Sequence, residues 1–175
     1  DPRIVKKTSR IDELSYAEAA ELAYFGAKIL HPLCVRPARE TGVPIKLLNT
    51  LNPEAEGTII HRENLAEKGG VKAVAAKDGI IAINIRSSHM LMAHGFLRKI
   101  FEVFEHHKTS VDMITTAEVA VSLTIDDATN LDNIVAELQD YGTITVEKGQ
   151  TIICVVGAFR KEDAGIAVQV LNPLR

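Results

Sequence analysis

Tryptophan is absent from this 175-residue sequence, and aromatic residues make up only 5% of it. Sheets that stack nucleobases carry exposed aromatics, so an RNA-binding surface is not expected. The formal net charge is -3, from 20 basic and 23 acidic side chains, which leaves no basic excess for a phosphate backbone. No apolar run reaches the roughly 20 residues that a bilayer requires, and no basic start with an apolar middle marks a signal peptide. Neither a nucleic-acid partner nor a membrane partner is expected. The chain opens on Asp1-Pro2-Arg3 without a methionine and reads as a piece of a longer or processed protein.

Cysteine is scarce too. Cys34 and Cys154 lie far apart, each among apolar residues, which fits buried thiols of a reducing, cytoplasmic compartment better than a disulfide framework. Of six histidines, His106 and His107 are adjacent, but neighbours on a helix diverge by about 100°, so the pair is not expected to share an ion. No metal site is expected. The P-loop, the three-glycine dinucleotide fingerprint, the histidine-glutamate zinc motif and the serine elbow are all missing. No complete catalytic site is expected in this chain.

What is present is ordinary globular material, 46% hydrophobic and 25% charged, enough for one sizeable core or two small ones. Ser15-Tyr16-Ala17-Glu18 has the capping-box pattern and opens an alanine-rich helix that ends before His31-Pro32. Pro32 begins a second helix to about Glu40, stopped by Thr41-Gly42. Short strands are expected at Pro44 to Asn49 and at Thr58 to Ile60, then a polar linker from Glu63 to Gly70. Val71 to Ala76 reads as a short strand, ended by a turn at Asp78-Gly79.

From Ile80 onward the periodicities alternate. Ile80 to Arg86 is strand-like, and a helix from Phe96 to about His107 carries Leu97, Ile100, Phe101 and Phe104 at one-face spacing. Strands at Val111 to Thr116 and Val119 to Ile125 follow, then a helix with Leu131, Ile134, Val135 and Leu138 inward, then a strand from Thr143 to Lys148. This β-α-β-β-α-β order is the ferredoxin-like split βαβ arrangement. A further strand at Thr151 to Val156 and a helix start near Ala164 read as half of a second such module. Setting Val71 to Ala76 beside Thr151 to Val156 makes the complete module an insertion within the incomplete one.

Ser110 to Glu118 is too polar for a strand that is merely half buried. Asp112 and Glu118 either point to solvent by simple alternation or face a cation or an amino group. The loop from Ser87 to His94 precedes Gly95 and a helix start, whose free backbone N–H groups suit a carboxylate. Two acids with one carboxylate-accepting helix end describe a pocket for a diamino acid.

Four stretches together resemble the C-terminal part of an aspartate kinase (aspartokinase). They are Asp1-Pro2-Arg3 with Arg10-Ile11-Asp12-Glu13; Glu18-Ala19-Ala20-Glu21 through Phe25-Gly26-Ala27-Lys28-Ile29-Leu30-His31-Pro32; Met90-Leu91 with Gly95-Phe96-Leu97; and Ser110-Val111-Asp112 through Thr115-Thr116-Ala117-Glu118-Val119. The resemblance implies an α+β chain: the end of an amino-acid-kinase domain over 1–62, a linker over 63–70, a complete ACT domain over 79–149, and a partial second ACT domain from 71–78 and 150–175. It implies nucleotide contacts at Arg3, Lys28 and Ile29, with ATP and magnesium in the parent enzyme. In the lysine-sensitive branch the effector pocket would use Met90, Gly95, Phe96, Leu97, Ser110, Val111, Asp112, Thr116 and Glu118, where ACT domains of two subunits meet. Met92 and Ala93 depart from a close relative, which has histidine and serine there. Asp112→Ala is expected to abolish lysine binding and leave the fold intact. A homodimer or higher oligomer is the expected assembly, and threonine sensing or ligand-free dimerisation are the competing readings.

Overall fold

The computed structural model describes residues 5–27, 30–62, 70–90, 94–159 and 165–172. Two compact units divide the chain between Ala76 and Lys77, and again between Ile152 and Ile153. Unit 77–152 is thus one continuous stretch set between two segments of the other.

The flanking unit begins with β1 (Glu13–Ser15), a strand too short to announce itself by alternation. Ser15 then caps α1 (Tyr16–Tyr24): its hydroxyl accepts from the Glu18 N–H at 3.2 Å, and the Glu18 carboxylate accepts from the Ser15 N–H at 2.7 Å. Pro32 sits in the first turn of α2 (Pro32–Thr41), and Gly42, in the left-handed region, ends it. Strands β2 (Ile45–Leu47) and β3 (Thr58–His61) complete a three-stranded sheet of order β1-β3-β2, with β1 parallel and β2 antiparallel to β3. Leu14, Tyr16, Ala19, Leu22, Val35 and Ile60 form its core. Cys34 is exposed and Cys154 half-buried, so the expectation of two buried thiols holds for neither in full. Of α2, only Val35 is buried.

Two strands are much longer than the sequence suggests. β4 runs without interruption from Gly70 to Arg86, and β7 from Thr143 to Ala158. The turn expected at Asp78-Gly79 is absent, and so is the break expected between Lys148 and Thr151. Gly79 and Gly149 adopt positive φ, +79° and +72°, yet the strands continue through them, as glycine permits in a bulge. Thr151 donates to the Asp78 carboxylate at 2.7 Å beside these kinks. Val71 to Ala76 is therefore the first part of β4, which neighbours β7 in the sheet.

Within 77–152, α3 (Phe96–His106), β5 (Met113–Thr116), β6 (Ala120–Ile125) and α4 (Leu131–Leu138) fall between the two long strands. The sheet order is β5-β6-β4-β7, with β6 antiparallel to both β4 and β5, the ferredoxin-like topology. Alternation decides the faces: Ile81, Ile83 and Ile85 of β4 and Val121, Leu123 and Ile125 of β6 all point into one core. Ile100, Val103 and Phe104 of α3 and Leu131, Ile134 and Leu138 of α4 close it. Each such fully buried aliphatic side chain contributes about 1.5–3 kcal/mol. Phe101 departs from expectation: it is 40% exposed, because Phe96 and Val103 rather than Phe101 complete the buried stripe. The last helix, α5 (Ile166–Leu171), is short, and no described helix is long and apolar enough to cross a membrane.

Burial thus ranks the two phenylalanines. Phe104→Ala should cost about 3–5 kcal/mol in denaturant titrations, and Phe101→Ala under about 1 kcal/mol. Equal losses would show that α3 is rotated from this orientation.

Candidate functional site

Asp112 lies just before β5, and the strand register fixes it. Its N–H donates to the Thr124 carbonyl at 2.8 Å, and the next N–H, of Met113, donates to the Thr124 hydroxyl at 3.0 Å. This grip turns the Asp112 side chain inward, where it is 1% exposed. Such a carboxylate needs a cation, and the chain supplies one: Lys77 Nζ lies 3.2 Å from Asp112 Oδ1 and 2.8 Å from Asp126 Oδ2. Burial pulls the Lys77 ammonium toward neutrality, but hydrogen bonds to Asp126 and Asp112 and their charges outweigh it, leaving its pKa raised. A raised lysine contributes its full stabilisation below the unfolded-state value, so the cluster is intact at neutral pH. That contribution is lost only as pH climbs through the raised folded-state value.

Lys77 and Asp126 escaped the sequence reading. The available signal was the demand itself, a near-buried acid requiring a cation, but nothing local singled out a lysine 35 residues upstream.

At the other end of β5, Thr116 pairs with Val121, and the Ala117 N–H donates to the Ala120 carbonyl at 2.8 Å, closing the turn that carries Glu118. The Ser87 N–H donates to the Val119 carbonyl at 2.9 Å, which ties this turn to the start of the 87–95 loop. Thr116 and Glu118 are exposed at this end, as is Gly95, the N-cap of α3 with φ +79° and no side-chain capping bond. Asp112 and Ala117 are separated by five strand steps of about 3.3 Å, about 16 Å in all. The two acids sit at opposite ends of β5. Ser110 lies with Asp112 at one end, whereas Ser87, whose carbonyl accepts from the Met90 N–H, is tied to the turn that carries Glu118 at the other.

Met90, Phe96, Leu97 and Val111 pack into or against the module core, so within one chain they support the site from behind. Arg3, Lys28 and Ile29, the expected nucleotide contacts, lie outside the described residues, as do Met92 and Ala93. An open cleft of about 560 Å³ sits between Arg86 to Ser88 and Gln139 to Thr143, and none of the expected effector residues lines it. β5 forms one edge of the sheet, and Met113, Ile114 and Val119 are 44%, 39% and 42% exposed there. Apolar exposure on an unpaired edge suits a second protein surface.

The adjacent histidines also behave unlike the expectation. His107 is not a helical residue but the C-cap of α3, and both rings reach one carboxylate: His107 Nε2 is 2.9 Å and His106 Nδ1 3.4 Å from Glu137 Oε2. Their ring centroids are 4.8 Å apart. Hydrogen bonding from His107 holds the Glu137 carboxyl below its ordinary pKa despite some desolvation, with His106 adding to the effect.

Fold and site together define a class: a ferredoxin-like regulatory module of the ACT type, preceded by α/β material. Residues 1–49 match the amino acid kinase family. The chain is 39% identical over 166 residues to the chloroplastic aspartokinase 1 of Arabidopsis thaliana, covering 90% of this chain and 29% of that protein. E. coli aspartokinase III superposes over the whole chain in two solved states. The complex with aspartate and ADP has a TM-score of 0.87 at 33% identity, and the complex with lysine and aspartate 0.80 at 34%. The chain covers 41% and 40% of those structures. A structure described as a C-terminal regulatory domain of aspartate kinase from Porphyromonas gingivalis is 48% identical, with a TM-score of 0.51, over 58% of this chain and 69% of that one. This chain belongs to the aspartokinase family.

The geometry makes Lys77 the most exacting position of the site. Lys77→Met takes the ammonium from a carboxylate that is 1% exposed and should destabilise the chain by about 3–5 kcal/mol at neutral pH in urea titrations. Restored stability in Lys77→Met/Asp112→Leu would follow if burying the unmatched charge is the cost.

Proposed function

We propose that this chain is the C-terminal, regulatory part of an aspartate kinase whose activity is feedback-inhibited by lysine. The whole enzyme would transfer the γ-phosphoryl group of ATP, held with magnesium, to the β-carboxylate of aspartate. Arg3, Lys28 and Ile29 would meet the nucleotide at the end of the kinase domain, over 1–62. Residues 63–70 would link it to ACT material, complete over 79–149 and partial over 71–78 with 150–175. Phosphoryl transfer depends on positioning and charge stabilisation, which two cations near the phosphates would aid.

One observation carries the effector reading: the residues of the pocket divide between the two ends of an exposed edge strand. A homodimer with a two-fold axis makes every contact twice, i with j and j with i. Two copies meeting along β5 can therefore bring the Ser110-Asp112 end of one chain to the Gly95, Thr116 and Glu118 end of the other, forming two equivalent sites. At each, the α3 N-terminus would receive the effector carboxylate, and the acids would receive its ammonium groups. The solved lysine complex of E. coli aspartokinase III supports lysine as the effector. Lysine inhibits only if it binds the inactive arrangement better than the active one, since equal affinities shift nothing.

The involvement of Asp112 in the Lys77 cluster changes the expected mutant. Asp112→Ala deletes a structural ion pair as well as a ligand, so Asp112→Asn and Glu118→Gln are the cleaner probes. In calorimetry each should weaken lysine by about 10-fold or more, the size of one charged hydrogen bond. Mixed dimers of the two variants should recover one intact site per dimer at full affinity, because both defects then fall in the other site. No recovery would exclude a site shared between chains. Thermal stabilisation by threonine and not by lysine would favour the threonine-sensing alternative.

A further inference from the structure

We infer that His106, His107 and Glu137 form a surface binding site for a borderline divalent transition ion of the Zn²⁺ class. The three donor atoms, two imidazole nitrogens and one carboxylate oxygen, all lie within 4.8 Å of one another. Neighbouring helical side chains leave the axis about 100° apart, yet both imidazoles reach the Glu137 carboxylate, at 3.4 Å and 2.9 Å. His107 is the C-cap of α3 with φ -86° and ψ 6°, and Lys108 follows in the left-handed region at φ 51°. The cap is anchored: the His107 carbonyl accepts from Asn130 Nδ2 at 2.9 Å and from the Thr109 hydroxyl at 3.2 Å. His107 is thereby held in place at 17% side-chain exposure, whereas His106, at 73%, is free to rotate toward an ion.

The donor set selects the ligand. Imidazole nitrogens suit zinc, copper and nickel, whereas magnesium and calcium take oxygen donors. At bond lengths of about 2.0–2.1 Å, two donors on a tetrahedral ion sit about 3.4 Å apart, so closing the site needs a shift of about 1.4 Å by the exposed imidazole. Three protein donors leave positions for water, which makes this an exchangeable site. An ion bound there would join the C-terminal end of α3 to the last turn of α4, the two helices that cover the sheet of unit 77–152. Binding should therefore raise the stability of that unit by mass action.

The site is tested on the whole chain, with Cys34→Ser and Cys154→Ser as background so that thiols do not compete. Titration with Zn²⁺ at neutral pH should show one ion per chain and a raised melting temperature, and magnesium should do neither. His106→Ala, at an exposed position, and Glu137→Gln, at a half-buried one, should each weaken the zinc affinity by about 10–100-fold with unchanged circular dichroism. With Cu²⁺, electron paramagnetic resonance should show two coordinated nitrogens, falling to one in His106→Ala. Unchanged zinc affinity in Glu137→Gln, or a copper spectrum unaltered by His106→Ala, would overturn the assignment.

Discussion

The ammonium of Lys77, held between Asp112 and Asp126, is the constraint on which this end of the sheet depends. It gathers three neighbouring strands at one end of the sheet: β4 enters there with Lys77, β6 leaves with Asp126, and Asp112 leads into β5. A two-residue slip would keep the same face of each strand toward the core, since side chains alternate with period 2. A slip of that size would carry Asp112 away from Lys77 and leave a charge in a site that is nearly dry. The ion cluster therefore penalises wrong register more than it rewards the right fold, the best-attested use of buried charge.

The same constraint explains which parts of the molecule could be read in advance. Helix α1, its capping box, the α2 boundaries and the β-α-β-β-α-β order rest on local signals, such as Ser15 three residues before Glu18, Pro32 at a first turn, and period-2 isoleucines at 81, 83 and 85. Those signals act within a few residues, so a linear sequence displays them. The polarity of Ser110 to Glu118 was equally visible. The Lys77 partner was not, since tertiary pairing alone brings residues 77, 112 and 126 together.

Three local readings failed because a tertiary effect overrode a local preference. Asp78-Gly79 and Lys148-Gly149 are good turn dipeptides, but each lies in a strand that stays in its sheet, where glycine absorbs the positive φ as a kink. The adjacent histidines were judged by the angle between successive helical residues, whereas both rings reach the one Glu137 carboxylate supplied by the neighbouring helix. Phe101 followed the apolar periodicity, yet the buried stripe of α3 is completed by Phe96 and Val103 instead.

The distribution of the effector residues sets a limit on what one chain can do. A small-molecule site must enclose most of its ligand between convergent polar groups and apolar walls. Here the apolar members, Met90, Phe96, Leu97 and Val111, are spent on the module core, and the acids lie at opposite ends of β5. A free lysine is much shorter than the roughly 16 Å between those ends, so it cannot bridge them along one strand. For the proposed effector site the missing wall would come from another surface, and the exposed edge with Met113, Ile114 and Val119 offers apolar contact for one. Sensing and association would then be a single event: a ligand that fills a site built from two chains favours whichever dimer arrangement completes it, and its differential affinity for that arrangement sets the strength of inhibition.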